Sequence, residues 1–126
     1  MIIKFQHHIV SDNKRTIPII IKGKPRQVPS TEYRKCKESL IEYMKFETPE
    51  HHIPYNKNIY VRIYIKTYKD ILNPAKILVD ALEGAGIIEN DRFINFVYVA
   101  KTPIKRGEID SIEIQINGQY KDDSKT

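Results

Sequence analysis

The spacing of apolar residues changes several times along the chain, and each change predicts a new element of secondary structure. Apolar and polar residues alternate over residues 2–10, which is the period of a strand with one buried face. Three further strands are predicted at 58–67, 93–101 and 111–117. A short apolar run at 17–21 contains Pro18, which demotes that run to an edge strand or a loop.

Two helices are predicted between these strands. The first begins at Ser30 or Thr31, where a hydroxyl can cap free backbone N–H groups, and it runs to about Phe46 before Pro49 ends it. Residues at helical spacing give it an apolar face: Tyr33, Cys36, Leu40 and Met44. Cys36 is therefore predicted to be a small core residue rather than a nucleophile.

The order strand, helix, strand, helix, strand, strand predicts an α+β fold, in which a mixed β-sheet carries two helices on one face. The 126 residues, 40% of them hydrophobic, suit a single domain. We place this domain at residues 1–119 and expect a frayed polar tail at 120–126. The short apolar runs and the absence of a signal-peptide pattern predict an intracellular protein with no membrane partner.

The second helix is flanked by acidic residues, which makes its surroundings the most informative part of the chain. Asn73 is predicted to be its N-cap and Pro74 its first residue. Asp70 precedes the helix and Asp91 follows it, so these two carboxylates could meet beside the sheet. Taken singly, each of them is more typical of an ordinary turn residue than of a metal ligand.

Within the second helix, polar residues form a stripe opposite the apolar face. Lys76, Asp80 and Glu83 follow one another at helical spacing. Lys76 and Asp80 lie four residues apart, which predicts an ion pair on the helix surface. Gly84 and Gly86 predict the end of the helix, because glycine accepts the left-handed conformation found there.

The charge of the chain favours a polyanionic partner. Lys and Arg number 21 against 16 Asp and Glu, and the formal net charge is +5. On the strand at 58–67, one face is aliphatic and the other alternates tyrosines with Arg62 and Lys66. Such rings can stack on unpaired bases while the cations meet phosphates. Cross-strand aromatic pairs, or a dimer partner covering the sheet, would explain the same pattern.

The loop at 101–107 is a second cationic element. It contains Lys101, Lys105 and Arg106, and Pro103 and Gly107 shape its backbone. This composition is typical of a solvated turn before a strand and also of a loop that contacts phosphates.

The segment from about Lys69 to Gly107 resembles the RusA-type Holliday-junction resolvases. The resemblance rests on residues that occur in the order of that family's motif: Asp70, Asn73, Lys76, Asp80-Ala81-Leu82, Ala85-Gly86, Asp91, Lys101, Pro103 and Gly107. Members of the family are small homodimeric endonucleases that cut four-way DNA junctions with magnesium or a similar divalent ion. The resemblance thus implies a RusA-like fold, a homodimer, and a partner that is a four-way junction or another branched duplex.

The resemblance also implies roles for individual residues. Asp70 and Asp91 would hold Mg or Mn, and Lys76 would join them as a catalytic residue. Asn73 and Asp80 would be structural. The DNA-binding set would be Arg62, Lys66, Lys69, Lys76, Lys101, Lys105 and Arg106. The implied activity is that of a metal-dependent, structure-specific endonuclease in recombination, repair or resolution of branched DNA.

Two positions depart from the family pattern. Leu72 stands where the family has a second carboxylate, and Asn90 stands where it has the first of two aspartates. Each departure removes a negative charge, which weakens metal binding. An alternative is therefore a protein of the same fold that binds branched or duplex DNA without cutting it. An absence of salt-dependent DNA binding would instead favour a basic domain with a protein partner.

Overall fold

A computed structural model describes residues 1–9, 16–21, 23–68 and 74–120, with the backbone alone described at 16–21 and 24–29. The strands are β1 Ile2–Gln6, β2 Thr16–Ile21, β3 Lys24–Pro29, β4 Lys57–Thr67, β5 Ile94–Pro103 and β6 Ser111–Gln119. The helices are α1 Thr31–Glu47 and α2 Ala75–Gly84, and a short 3₁₀ turn spans Asp91–Phe93.

Four strands form one mixed sheet in the order β1, β6, β4, β5. The pairs β1 with β6 and β6 with β4 are antiparallel, whereas β4 and β5 are parallel. Helix α2 makes the crossover between the two parallel strands, as a parallel pair requires. The predicted α+β layout, a mixed sheet with two helices, is confirmed.

The core lies between the helices and one face of this sheet. On β4 the aliphatic side chains Ile59, Val61, Ile63 and Ile65 are buried, and on β6 the buried ones are Ile112, Ile114 and Ile116. The N-terminal alternation is also confirmed, since Ile3, Phe5, His7 and Ile9 are all buried. His7 tolerates burial because its Nε2 lies 2.8 Å from Ser39 Oγ.

Helix α1 begins where the sequence predicts and ends one residue later. Ser30 is its N-cap, and the Ser30 Oγ accepts a hydrogen bond from the Tyr33 backbone N–H at 3.0 Å. All four residues of the predicted apolar face are buried. Cys36 is one of them, as expected of a core residue. Among the described residues, no helix is long and apolar enough to cross a membrane.

Helix α2 begins at Ala75, one residue after the predicted start, and Asn73 lies outside the described residues. Its C-terminus is closed by a Schellman motif, in which the Gly86 N–H donates to Glu83 O and the Ile87 N–H donates to Leu82 O. Gly86 has φ +76°, the left-handed conformation predicted from the sequence.

The N-terminal hairpin agrees with the prediction in part. The run containing Pro18 is an edge strand, β2, which is one of the two alternatives predicted for it, and it pairs antiparallel with β3, which the sequence pattern did not predict. A two-stranded sheet has only edge strands, so a proline can turn its missing N–H side away from its partner. Strand β3 was not predicted because it contains prolines, which are rare in strands other than edge strands.

A pair of stacked tyrosines lies beside the end of β6. Tyr120, which the sequence assigned to the tail, stacks on Tyr55 with ring centroids 5.1 Å apart. Burial raises the pKa of the Tyr55 hydroxyl, and the neighbouring Tyr120 adds to this effect. Gly118 permits the arrangement, because a Cβ at that position would lie 2.9 Å from Tyr55 Cβ. The remainder of the predicted tail, 121–126, lies outside the described residues.

Candidate functional site

A cleft of about 350 Å³ runs between α2 and β5. Its lining consists of Ala75, Lys76, Val79 and Asp80 from α2, Asp91 from the 3₁₀ turn, and Ile94 and Val97 from β5. The α2 residues repeat at helical spacing, so one side of the helix supplies them all. The cleft thus brings together Lys76, Asp80 and Asp91, which the sequence singled out separately.

The predicted ion pair on α2 is present. Lys76 Nζ lies 3.3 Å from Asp80 Oδ1. The pair is only partly buried, so its contribution to the free energy of unfolding is small. The ion pair instead affects the position of the Lys76 ammonium, because the Asp80 carboxylate that it contacts also makes a second hydrogen bond.

Tyr33 of α1 holds that carboxylate. Its hydroxyl donates a hydrogen bond to Asp80 Oδ2 at 3.0 Å, while its ring is buried in the core. Sequence analysis assigned Tyr33 only to the apolar face of α1. The one available signal was its residue type, since a buried tyrosine usually directs its hydroxyl to a partner.

We expect Tyr33→Phe to lower the free energy of unfolding by about 1 kcal/mol, because Asp80 loses a hydrogen-bond donor while the buried ring is kept. Urea denaturation measures this change. Tyr43→Phe is the matched control, since Tyr43 lies on the same helix and is largely exposed. If both substitutions lower the free energy of unfolding equally, the hydrogen bond from Tyr33 to Asp80 does not contribute to stability.

Asp91 is positioned by backbone and side-chain hydrogen bonds around it. Its backbone N–H donates to Glu83 Oε1 at 3.0 Å. Asn90 caps the 3₁₀ turn, because its Oδ1 accepts from the Arg92 backbone N–H at 3.0 Å. Within the described part of the chain, no hydrogen bond or ion pair engages the Asp91 carboxylate, and the residue is exposed. No described residue thus competes with a ligand for this carboxylate in the cleft.

The donor set is compatible with a hard cation, although it is incomplete in what the structure describes. Mg²⁺ commonly takes one or two protein carboxylates and completes its shell with water and phosphate oxygens. Asp91 can supply one carboxylate. Three other residues of the predicted site, Lys69, Asp70 and Asn73, lie outside the described residues, and so does Leu72, which departs from the family pattern. Across residues 1–9, 16–21, 23–68 and 74–120, no three His, Cys, Asp or Glu side chains form a metal-binding group.

The predicted DNA-binding cations do not share one surface. Arg62 and Lys66 lie on the face of β4 opposite the core. Lys101 is paired in register with Ile65 and so lies on the helix-bearing face, which also carries the cleft. Lys105 and Arg106 are exposed in the loop after β5.

The cationic loop has a defined shape. The Lys105 backbone N–H donates to Glu108 Oε1 at 3.1 Å, and the Glu108 N–H donates to Lys105 O at 3.0 Å. Gly107 has φ +99°, which favours glycine at this position of the turn. The two cations of this loop are therefore presented on a fixed turn beyond the end of β5.

The sheet face opposite the helices is aromatic towards β5 and charged towards β1. The Tyr64 and Tyr98 rings lie 6.1 Å apart, which is the cross-strand pairing considered for this pattern. Further across the sheet, Lys4 Nζ lies 3.4 Å from Glu113 Oε1. The pKa of Glu113 is lowered by a hydrogen bond from Gln115 and by Lys4. The two halves of this face thus present different chemistry.

The cleft brings together three of the predicted site residues, Lys76, Asp80 and Asp91. The other described cations of the predicted set lie on the open sheet face, on the helix-bearing face at Lys101 and in the loop after β5. Comparison of the whole chain with known proteins adds no family to this description. No family model matches the chain, and no curated protein matches it.

Proposed function

We propose that the protein is a DNA-junction-binding, metal-dependent endonuclease of the RusA resolvase type. It would act inside the cell as a homodimer, in recombination, repair or resolution of branched DNA. One observation carries the proposal: the Asp91 carboxylate, which no described residue engages, lines the same cleft as the Lys76 ammonium. In phosphodiester cleavage with a divalent ion, a carboxylate can hold the ion and a cation can stabilise the charge that develops on the phosphate.

Within the cleft, Asp91 would hold Mg or Mn together with Asp70 from outside the described residues. The ion supplies Lewis acidity and an activated water when bound. Lys76 would offset the negative charge that develops on the phosphate, and only part of its donor capacity is used by Asp80. Tyr33 and Asp80 would hold the ammonium in position rather than contact DNA. Lys101, on the same face, would bind a neighbouring phosphate.

A second candidate is a protein of this fold that binds branched or duplex DNA without cutting it. Asn90 favours it, because the side-chain oxygen at this position caps a turn instead of supplying a carboxylate. Leu72 also favours this candidate, because it places an uncharged side chain where the resemblance implies a carboxylate. Incubation of labelled four-way junction and linear duplex with Mg²⁺ or Mn²⁺, with binding and cleavage read separately, distinguishes the two candidates. Cleavage of the junction supports the first, and binding alone supports the second.

We expect junction binding to persist without metal and to fall steeply as salt rises, because cations at the phosphates release counterions. Lys105→Gln with Arg106→Gln should weaken binding to every DNA alike, since phosphate contacts carry no sequence information. Gel-shift titrations over a salt series measure both effects.

The matched control is Lys45→Gln with Lys57→Gln, which removes the same charge from exposed positions away from that loop. If the control weakens binding as much as the loop variant does, overall charge rather than the loop is responsible. An affinity that stays constant between low and moderate salt would exclude binding of DNA through these cations.

A further inference from the structure

Strand β5 forms one edge of the four-stranded sheet. It is ten residues long, and within the described residues only β4 pairs with it. Its outer side therefore presents a row of backbone N–H and C=O groups that no described strand satisfies. Long open edges of this kind readily pair with another strand.

Three successive large apolar residues on β5 are exposed. Phe96, Val97 and Tyr98 expose 45%, 41% and 46% of their surface. Successive residues of a strand point to opposite faces, so the exposure affects both faces of β5. On β4, by contrast, exposed residues alternate with buried ones. The apolar surface is therefore exposed along the edge of the sheet, on both faces of β5, rather than over one whole face.

The two edges of the sheet are protected differently. Residues 94–100 contain no charge and no proline, which are the usual devices that prevent edge pairing. The opposite edge, β1, is five residues long and carries Lys4, which is paired with Glu113. Within β5 a charge and a proline occur only near its end, at Lys101 and Pro103. Exposed in isolation, the uncharged part of this edge, residues 94–100, would be an aggregation hazard. Its composition indicates a strand that is covered in the native assembly.

We propose that β5 pairs antiparallel with β5 of a second copy of this chain, so that two four-stranded sheets join across a two-fold axis. In such an interface each residue near the axis faces the same segment of the partner. Charges there would face like charges, and the neutrality of 94–100 avoids this. A different protein partner could place opposite charges across from β5, so its binding would not require residues 94–100 to be uncharged. The inference identifies the surface of the homodimer in the proposed function, but it does not require DNA binding or cleavage.

This pairing changes the candidate site. The cleft lies between α2 and β5, and Val97 belongs both to its lining and to the exposed edge. A partner strand along β5 would therefore close the outer side of the cleft. Both clefts would then lie on the same face of the joined sheet, one on each side of the seam.

The test replaces two exposed rings with charges of one sign. Phe96→Lys with Tyr98→Lys places like charges close together across the axis, and Phe96→Glu with Tyr98→Glu does so with the opposite sign. Sedimentation equilibrium should show wild type at twice 14.8 kDa. Each double variant should sediment at 14.8 kDa, with a dissociation constant raised about 100-fold or more. An equimolar mixture of the two variants should dimerise again, which also shows that both are folded.

The control is Ile2→Lys with Phe46→Lys, which charges two exposed apolar residues away from β5 and should leave the dimer intact. A lysine variant of β5 that dimerises like wild type, or a mixture that stays monomeric, overturns the inference. Junction binding read on the same samples then shows whether the proposed function stands without it. The dimer is also overturned if the wild-type protein stays monomeric and binds single-stranded oligonucleotides through Phe96 and Tyr98. In that case this surface of β5 binds nucleic acid.

Discussion

Asp91→Asn should abolish junction cleavage, with a loss of about 100-fold or more, and leave junction binding intact. The substitution keeps the size of the side chain but removes the charge of the one cleft carboxylate that no described residue engages. Leu72→Asp should act in the opposite direction, since it adds a carboxylate where the family resemblance places one. Wild-type cleavage should be slow and should respond to high manganese. Single-turnover cleavage of a labelled junction, beside a gel shift in metal-free buffer, measures both quantities.

Glu89→Gln is the matched control, because it removes an exposed carboxylate from the same connection without touching the cleft lining. It should leave the cleavage rate unchanged, whereas Asp70→Asn should reduce it as Asp91→Asn does. If wild type and Leu72→Asp both bind junctions and never cut them, even at millimolar metal, the endonuclease proposal fails. The binding-only candidate would then be the better description.

Ile63→Ala should lower the free energy of unfolding by about 3 kcal/mol. Ile63 has no exposed surface, and it lies in the middle of β4, where strands on both sides hold the backbone in place. The deletion therefore leaves a cavity that the sheet cannot collapse. Urea denaturation at a fixed protein concentration measures the change, since dimerisation would otherwise alter the apparent stability.

Ile2→Ala makes the same chemical change on a residue that is 62% exposed. It should cost less than about 0.5 kcal/mol. Similar losses at the two positions would mean that the core does not lie on the face of β4 to which the structure assigns it.

The parts of the fold that were predicted correctly depend on local periodicity. The apolar face of α1 was predicted residue by residue because 3.6-residue spacing defines it without reference to the rest of the chain. The alternation on β4 was equally readable, since a period of two assigns each side chain to a face. Both predictions are confirmed because the residues that the local pattern marks as apolar are also the ones that tertiary packing buries.

The parts that were missed depend on contacts between distant residues. No local pattern shows that the Tyr33 hydroxyl reaches Asp80, 47 residues away. The strand order is also non-local, so no pattern in the sequence indicated that β5 is an edge or that Val97 is exposed there. In β3, prolines outweighed a weak strand signal, and only pairing with β2 makes that segment a strand.

The position of β6 between β1 and β4 has a consequence for the order of folding. The last described strand is an interior strand of the sheet, and it pairs Ile114 with Ile3 on one side and with Ile63 on the other. Until β6 has been synthesised, β1 and β4 each lack a neighbour that the finished sheet gives them. Sheet closure must therefore follow emergence of β6 from the ribosome, and contacts of such high sequence separation slow refolding. Truncation before residue 111 would remove the strand that connects the two halves of the sheet.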